Sequence, residues 1–315
     1  MSGAVTSVKE RIRLAVSLGD PRGIGPEIVR AALADPDLVR ECELVTVGPE
    51  GCGVPVDVPI GHWSPACTPA EAGRLAGLAI ARVVALAQER AVQGIVTAPI
   101  DKAALLAGGY DYPGHTEMLA RLTGARVAMM LASDRLRVVL ATTHLRLRAV
   151  PDAVTGKAIV DVAAVTKAGL RDWFGIASPR IALCALNPHA GDGGRFGDED
   201  QVILAPAASA AGIEGPFPAD TVFVRAMRGA FDAVIAPYHD VGMTAIKVAS
   251  FGKAVNVTLG LPFPRCSPDH GTALDIAGRG LADPSSFIAA TRLCAVIATR
   301  VAAIRPASRT PARAR

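Results

Sequence analysis

The positions of the histidines in this 315-residue chain suggest a ligand site. Five of the six lie in short polar segments that follow an apolar run or adjoin glycine or proline, namely Gly114-His115-Thr116-Glu117, Thr142-Thr143-His144, Asn187-Pro188-His189-Ala190-Gly191, Tyr238-His239-Asp240 and Asp269-His270-Gly271. Three neutral imidazoles are a common catalytic metal set that leaves positions open for substrate. Each histidine alone is explained as well by a loop hydrogen bond or a helix cap. Their joint placement in loops is what favours a ligand site.

Three further polar residues suggest an anion site. Lys247, Asn256 and Arg265 lie in a stretch that is otherwise apolar or rich in glycine, each near the end of a predicted strand. Arginine binds phosphate or carboxylate through a planar fork, and lysine adds a point charge. The alternative is that Lys247 and Arg265 are solvated surface residues, as lysine and arginine usually are.

A glycine-rich turn is predicted near the start of the chain. Residues 19–27, Gly-Asp-Pro-Arg-Gly-Ile-Gly-Pro-Glu, follow the first predicted strand and precede a helix. Glycines allow a close backbone approach, and free amides at a helix start can face an anion or another subunit's loop. The segment matches neither the dinucleotide-binding Gly-x-Gly-x-x-Gly fingerprint nor a P-loop, so a purely structural turn is an equal alternative.

The elements that must position these residues alternate between strands and helices, which predicts a mixed α/β fold. The apolar runs are continuous, as in strands covered on both faces. Strands are predicted at residues 14–18, 44–47, 95–97, 127–131, 138–141, 181–185, 233–235 and 254–258. Helices are predicted at residues 68–88, 155–173 and 284–304, with another after Asp198. The first of these opens with a capping-box signature, Thr68-Pro69-Ala70-Glu71.

Composition limits the possible partners and compartments. The formal net charge of +4 includes several arginines within residues 305–315, a predicted disordered tail, so no broad positive face for nucleic acid is expected. The first 13 residues lack the apolar stretch of a signal peptide, and no later run is expected to cross a membrane. Six dispersed cysteines without a Cys-x-x-Cys pair are predicted to be reduced, mostly buried thiols. We therefore expect a cytoplasmic protein.

The six motifs together closely resemble the 4-hydroxythreonine-4-phosphate dehydrogenase (PdxA) family of vitamin B6 synthesis. They are the glycine-rich turn at residues 19–27, Gly-His-Thr-Glu at 114–117, Thr-Thr-His at 142–144, Asn-Pro-His-Ala-Gly at 187–191, Tyr-His-Asp at 238–240 and Asp-His-Gly-Thr-Ala at 269–273. The match runs in the family's order from Leu14 to about Ala290.

The resemblance implies a two-domain α/β/α fold of the isocitrate and isopropylmalate dehydrogenase type, with the active site in the interdomain cleft at a homodimer interface. Both chain ends, residues 1–132 and 266–315, would form the first domain, and residues 133–265 the second, which carries the metal ligands and the dimer contacts.

The resemblance also assigns residues to roles. It implies a divalent metal, which could be Zn, Mg or Co, on His144, His189 and His239. It implies substrate contacts from His115, Thr116, Lys247, Asn256 and Arg265. It implies a nucleotide loop at His270, Gly271, Thr272 and Asp275. A carboxylate at Asp275 can accept hydrogen bonds from the adenosine ribose and would repel a 2′-phosphate, which favours NAD.

The implied reaction is the NAD-dependent oxidation and decarboxylation of 4-phosphooxy-L-threonine to 3-amino-2-oxopropyl phosphate. Lys247 is the candidate proton-transfer group, with Asp240 and Asp220 as alternatives. Val241 and Ala245 depart from the Gln and Pro of many relatives. A paralogous dehydrogenase acting on D-threonate or D-erythronate 4-phosphate is one alternative function, and a non-catalytic small-molecule binding protein is another.

Overall fold

The computed structural model describes residues 11–251 and 253–304. Its eleven strands are β1 Arg13–Ser17, β2 Glu43–Glu50, β3 Val58–His62, β4 Gly94–Thr97, β5 Ala128–Ala132, β6 Arg137–Leu140, β7 Ile181–Cys184, β8 Glu214–Phe217, β9 Ala233–Ala236, β10 Val255–Leu259 and β11 Arg265–Ser267. Every predicted strand is present. The short strands β3, β8 and β11 were not predicted, because Gly, Pro or charged residues interrupt their apolar pattern.

The helices are α1 Gly25–Leu33, α2 Pro36–Glu41, α3 Pro69–Gln88, α4 Lys102–Ala107, α5 His115–Thr123, α6 Val150–Ala153, α7 Gly156–Asp172, α8 Ala205–Ala211, α9 Ala219–Met227, α10 His239–Ser250 and α11 Ser285–Ile304. The capping box of α3 is confirmed, since Thr68 Oγ1 accepts from Glu71 N–H and the Glu71 carboxylate accepts from Thr68 N–H. Thr155 caps α7. The helix predicted after Asp198 begins as a π-helical turn, Asp200–Leu204, before α8.

All eleven strands form one mixed sheet in the order β3-β2-β1-β4-β11-β10-β5-β6-β9-β7-β8. The outer groups are parallel, while β10 is antiparallel to both β11 and β5, and β5 is antiparallel to β6. These three antiparallel contacts make β6 run opposite to β4. The carboxyl ends of the two halves therefore point in opposite directions, and the functional loops of the two halves meet across the central strands.

One large apolar cluster runs through both halves of the sheet, and a second, smaller cluster lies around β6 and β9. Helices α3 and α11 pack on the half of the sheet that contains β1 and β4, while α9 and α10 pack on β9 and its neighbouring strands. Both ends of the described chain contribute to the β1 half. The division into domains at residues 132 and 265 stays a prediction.

Helix α11 is long and apolar enough, by length and composition alone, to cross a membrane. Its apolar face has another explanation in the fold, because Phe287, Ala290 and Cys294 are fully buried against the sheet. The Cys294 thiol donates to the backbone oxygen of Ile95 in β4 at 3.5 Å. We therefore describe α11 as a core helix.

All six cysteines are free, and four of them are buried. Burial raises the pKa of the Cys184 thiol to about 12 and that of Cys42 to about 11. These thiols stay protonated at neutral pH. The prediction of mostly buried cysteines is confirmed, and their reduced state stays a prediction. The predicted tail at residues 305–315 lies outside the described residues.

Candidate active site

A cavity of about 450 Å³ lies over the central strands, a size typical of small-molecule sites. Nine of the residues singled out in the sequence line it, namely His115, Thr116, His144, His239, Lys247, Asn256, Arg265, His270 and Gly271. They come from segments more than 150 residues apart in the chain, since His115 and Gly271 both contribute. The fold thus brings four of the six sequence motifs to one cavity, whereas residues 19–27 and 187–191 contribute no lining residue.

Arg265 lies at the floor of this cavity and is only 1% exposed. Its Nη1 donates to Thr258 Oγ1 at 2.9 Å, and its Nη2 donates to Thr97 Oγ1 at 2.6 Å. Burial lowers the pKa of Arg265 to about 10, so the guanidinium remains charged at neutral pH. No carboxylate pairs with it in the described part of the chain. The alternative of a solvated surface arginine is therefore wrong, and the geometry is that of an anion-binding residue.

Helix α10 supplies one wall of the cavity. His239, Met243 and Lys247 follow each other at intervals of four residues, so they share the helix face that lines the cavity. Lys247 is about half exposed, and its Nζ lies 2.9 Å from Asp269 Oδ2. This ion pair fixes the ammonium at the cavity wall.

The two departures from the family pattern lie on another side of α10. Val241 and Ala245 pack against the apolar cluster of β6, β9 and α9. Neither residue lines the cavity. The substitutions therefore change core packing and leave the lining of the site as the family pattern predicts.

The amino end of α5 forms a second wall. Gly114 precedes the helix without a side-chain cap, so the first amides of α5 are available to a ligand. His115 and Thr116 occupy its first turn and line the cavity. Burial, followed by the nearby charges of Arg265 and Lys102, holds the pKa of His115 well below its usual value. A neutral His115 has one nitrogen that donates and one that accepts, and its Nε2 has no protein partner in the described residues.

His144 and His239 are brought together at the far side of the cavity. Their ring centroids are 5.5 Å apart. His239 Nδ1 lies 2.7 Å from Asp240 Oδ1, so the Nε2 of the same ring is left for a ligand. Burial and the charge of Lys102 lower the pKa of His144, which favours its neutral, ligating form.

His189 lies apart from the other two histidines, on an exposed loop after β7. The backbone from His189 to Gly193 is left-handed, with φ of 52° at His189 and 46° at Asp192. Such strain in residues other than glycine is found mainly where function requires it. The buried Asp200 carboxylate supports the loop by accepting from Leu186 N–H and Asn187 N–H at 2.7 and 2.9 Å. Among the described residues, no group of three His, Cys, Asp or Glu side chains is placed to hold a metal within one chain.

The predicted nucleotide loop begins at the edge of the cavity. His270 and Gly271 line it, whereas Asp275 is exposed further along the loop. The carbonyl of Thr272 accepts from Ile24 N–H at 2.9 Å. A Cβ on Gly23 would lie 2.7 Å from that same carbonyl, which explains why glycine is needed there. The glycine-rich turn therefore supports the loop that the sequence analysis assigned to nucleotide binding.

Five polar residues of the cavity were not assigned from the sequence: Thr97, Lys102, Glu117, Ser267 and Asp269. Glu117 and Asp269 stood inside quoted motifs but received no role. Thr97 and Lys102 flank the turn directly after β4. Their position at the end of a buried strand could have indicated a role in the site. Asp220, by contrast, is exposed in the first turn of α9 and does not line the cavity.

Comparisons with known proteins identify the family of the chain. A sequence profile described as pyridoxal phosphate biosynthetic protein PdxA matches residues 33–294. A 4-hydroxythreonine-4-phosphate dehydrogenase of Xanthomonas axonopodis pv. citri is 44% identical over 319 residues, covering 91% of this chain and 98% of that relative. The enzyme so named from Beijerinckia indica is 46% identical over 319 residues, covering 89% and 94%. A crystal structure of 4-hydroxythreonine-4-phosphate dehydrogenase from Klebsiella pneumoniae superposes with a TM-score of 0.81 at 39% identity, covering 92% and 100%. The chain therefore belongs to the PdxA family of pyridoxal phosphate biosynthetic proteins.

Proposed function

We propose that this protein catalyses the NAD-dependent oxidation and decarboxylation of 4-phosphooxy-L-threonine to 3-amino-2-oxopropyl phosphate, within pyridoxal phosphate biosynthesis. The single observation that carries the proposal is the buried Arg265 at the floor of the cavity, which has no carboxylate partner among the residues that the structure describes. A charge in that position needs an anion, and the substrate named for the relatives carries a phosphate.

The anionic end of the substrate is held by groups on the central strands β10 and β11 and at the amino ends of α4 and α5. Arg265, Asn256 and Lys102 line the cavity beside the open amino end of α5, where His115 and Thr116 lie. The Oδ1 of Asn256 is buried without a hydrogen-bond partner in the described residues, so it can accept a hydrogen bond from a donor group of the ligand beside the anion. Charge-assisted hydrogen bonds from arginine, lysine and helix amides are the usual means of binding phosphate and carboxylate.

The imidazoles of His144 and His239 fit a divalent metal, because both face one space and Asp240 orients one of them. We propose His189 as the third ligand, supplied by a second copy of the chain in a homodimer. The exposed position of His189 on a supported loop favours this arrangement. A Zn, Mg or Co ion bound there would lower the pKa of the substrate's secondary alcohol and polarise the carbonyl that replaces it.

The loop at His270, Gly271, Thr272 and Asp275 fits a dinucleotide. A Cβ on Gly271 would meet nothing within 4 Å, so there is open space beside the cavity wall. The exposed Asp275 carboxylate can accept from the ribose hydroxyls of NAD and would repel the extra phosphate of NADP. NAD is the acceptor of the substrate hydride in this proposal.

Lys247 remains the proposed proton-transfer residue. Asp269 keeps its ammonium at the cavity wall, where it can return a proton to the carbon that loses carbon dioxide. Asp240 serves the orientation of His239 better than proton transfer, since its carboxylate is already bonded to that ring. Asp220 could act only from a second copy, because it lies outside the cavity of its own chain.

A turnover assay tests the proposal. The purified protein is incubated with NAD, a divalent metal and either 4-phosphooxy-L-threonine, D-threonate 4-phosphate or D-erythronate 4-phosphate, and the reduced nicotinamide is measured by absorbance. We expect the highest kcat/KM with 4-phosphooxy-L-threonine. Turnover of only a hydroxy acid would identify a paralogous dehydrogenase, and no turnover of any of the three would favour a non-catalytic binding protein. We propose a cytoplasmic localisation together with this function.

A further inference from the structure

A further cavity of about 650 Å³, which we call the second cavity, lies on the other face of the central strands from the candidate active site. Val255, the first residue of β10, lines the second cavity, whereas the next residue, Asn256, lines the active site. Successive side chains of a strand point to opposite faces of the sheet, so β10 separates the two cavities. The other lining residues come from the β5–β6 turn, the end of α10 and the residues after it, Phe174 and helix α11. None of them has a role in the proposed reaction.

The second cavity is lined by an excess of positive charge. Arg135, Arg137 and Lys253 line it together with one carboxylate, Asp134, which leaves an excess of two positive charges. Within residues 11–251 and 253–304, none of the three cations lies within salt-bridge distance of a carboxylate. A phosphate monoester carries about 1.5 to 2 negative charges at neutral pH and has three acceptor oxygens. Its charge therefore matches this excess better than the single charge of a carboxylate.

Arg137 is the cation best placed to bind an anion, because the fold fixes its guanidinium. The central carbon of this group lies 5.1 Å from the centre of the Phe174 ring. Its Nη1 donates to the backbone oxygen of Asp232 at 3.2 Å, while the Asp232 carboxylate pairs with Arg180. Its Nε is buried without a hydrogen-bond partner in the described residues. A charged donor is thus held at the wall of the second cavity with hydrogen-bonding capacity left over.

Ser250 provides a hydroxyl in the same cavity. It is the last residue of α10 and only 8% exposed, and its Oγ has no hydrogen-bond partner among the residues that the structure describes. The backbone N–H of Lys253 donates to the carbonyl of Ser250 at 3.0 Å, which keeps the lysine close to this hydroxyl. Buried polar groups are almost always hydrogen-bonded, so two unpaired donors on residues that line one cavity indicate a ligand that supplies acceptors.

Apolar side chains form the rest of the lining. Ala132, Val255 and Leu293 line the second cavity, and so does Phe251, which is 85% exposed. A volume of about 650 Å³ is typical of sites for small organic molecules and exceeds what a phosphate group alone would fill. Aromatic and aliphatic side chains pack well against a flat ring. The lining therefore suits a ligand with an anionic end and a flat aromatic body.

We propose that the second cavity is a binding site for a phosphate monoester of a flat aromatic ring, with the phosphate bound by Arg137, Lys253 and Ser250. The ring lies over the apolar lining residues. The site shares no lining residue with the candidate active site among those that the structure describes. The inference goes beyond the proposed reaction and does not depend on it.

A binding experiment without turnover tests the site. Pyridoxine 5′-phosphate is the probe, because it joins a phosphate to a flat aromatic ring and lacks an aldehyde that would react with lysines. Isothermal titration calorimetry measures its binding to the wild-type protein, and pyridoxine and inorganic phosphate are titrated separately as the two halves of the probe. We expect saturable binding of the intact probe, about tenfold or more tighter than that of either half.

Variants assign the binding to the second cavity. Arg137→Met should weaken the binding of pyridoxine 5′-phosphate by about tenfold or more, because a charge-assisted bond is lost. Lys253→Met and Ser250→Ala change side chains that form no hydrogen bond in the described residues, so both should fold and weaken binding by about three- to tenfold. Arg265→Met changes the candidate active site and should leave the affinity of the second cavity unchanged. Arg40→Met, on the exposed helix α2, is the matched control for Arg137→Met.

Three outcomes overturn the inference. The first is that wild type shows no saturable binding of the probe, as expected if a second copy of the chain covers the cavity. The second is that binding is lost in Arg265→Met but unchanged in Arg137→Met, which would place the probe in the candidate active site. The third is that inorganic phosphate binds as tightly as the intact probe, which would exclude the proposed class of ligand. Circular dichroism checks the fold of each variant, and Lys253→Met and Ser250→Ala decide the matter if Arg137→Met does not fold.

Discussion

Arg265 and Thr97, which are 168 residues apart in the sequence, are joined by a buried hydrogen bond of 2.6 Å from Nη2 to the hydroxyl. Thr97 ends β4 and Arg265 begins β11, and these adjacent parallel strands place both residues beneath the cavity. The bond orients a charged group that the described residues do not neutralise. A buried, unneutralised charge lowers the free energy of unfolding, and ligand binding is the reason for keeping it.

The first prediction follows from this bond. Arg265→Met should lower kcat/KM for the phosphorylated substrate by at least about 100-fold, because two or more charge-assisted bonds of roughly 1.5–3 kcal/mol each are lost. The same variant should unfold at a temperature no lower than wild type, since methionine removes a buried charge and fills similar space. Steady-state kinetics and thermal denaturation measure the two effects. A clear drop in Tm together with unchanged kcat/KM would contradict the assigned role.

The second prediction concerns the metal. His144→Ala, His239→Ala and His189→Ala should each lose most of the bound divalent metal, because a metal held by only three imidazoles binds weakly once one of them is removed. Asp240→Asn should weaken metal binding by about 10–100-fold through the orientation of His239. Metal content per chain is measured by plasma mass spectrometry after dialysis. His62→Ala, which lies on the exposed strand β3, serves as the control.

A wild-type protein without stoichiometric metal would exclude the site. Unchanged metal content in His189→Ala would exclude the third ligand alone. Mixing inactive His144→Ala with inactive His189→Ala should restore some activity if the ligands come from two copies, since one of the two sites in a mixed dimer would then be intact. No restoration after confirmed subunit exchange would assign all three ligands to one chain.

The sequence predicted the strands well because their apolar runs are buried on both faces, as at Ile181–Cys184. It also identified most of the polar lining residues, because motifs such as Gly-His-Thr-Glu are local. It did not predict that β6 runs opposite to β4, since direction depends on which strands pair over long distances. Lys102 was missed for a related reason, as only the folded chain places it beside Gly114. The relation of His189 to the cavity could not follow from one sequence, because the described chain alone does not bring it there.

The third prediction is a dependence of stability on pH. The pKa of His115 is held well below its usual 6.5 by burial and by nearby cations, so the folded protein resists its protonation. The unfolded chain binds that proton more readily, and stability should therefore decrease as pH falls below about 6.5. His115→Gln should reduce this decrease. Urea denaturation at neutral pH and at a pH one to two units lower measures it, and a variant with the full wild-type decrease would contradict the assignment.

The last prediction concerns Glu27, whose Oε1 accepts a hydrogen bond from the backbone N–H of Gly278, 251 residues away in the sequence. Together with the bond from Ile24 N–H to Thr272 O, this contact holds the proposed nucleotide loop against the amino end of α1. Glu27→Ala should leave that loop less ordered, so the Kd for NADH should rise by about three- to tenfold at an unchanged affinity for the phosphorylated substrate. Fluorescence titration measures the affinity for NADH. Calorimetry with O-phospho-L-serine, an amino acid phosphate used in place of the substrate, measures the affinity for the phosphorylated ligand. Glu50→Ala, at the end of β2, is the matched control. Equal losses for both ligands would show a general effect on folding instead of support for the nucleotide loop.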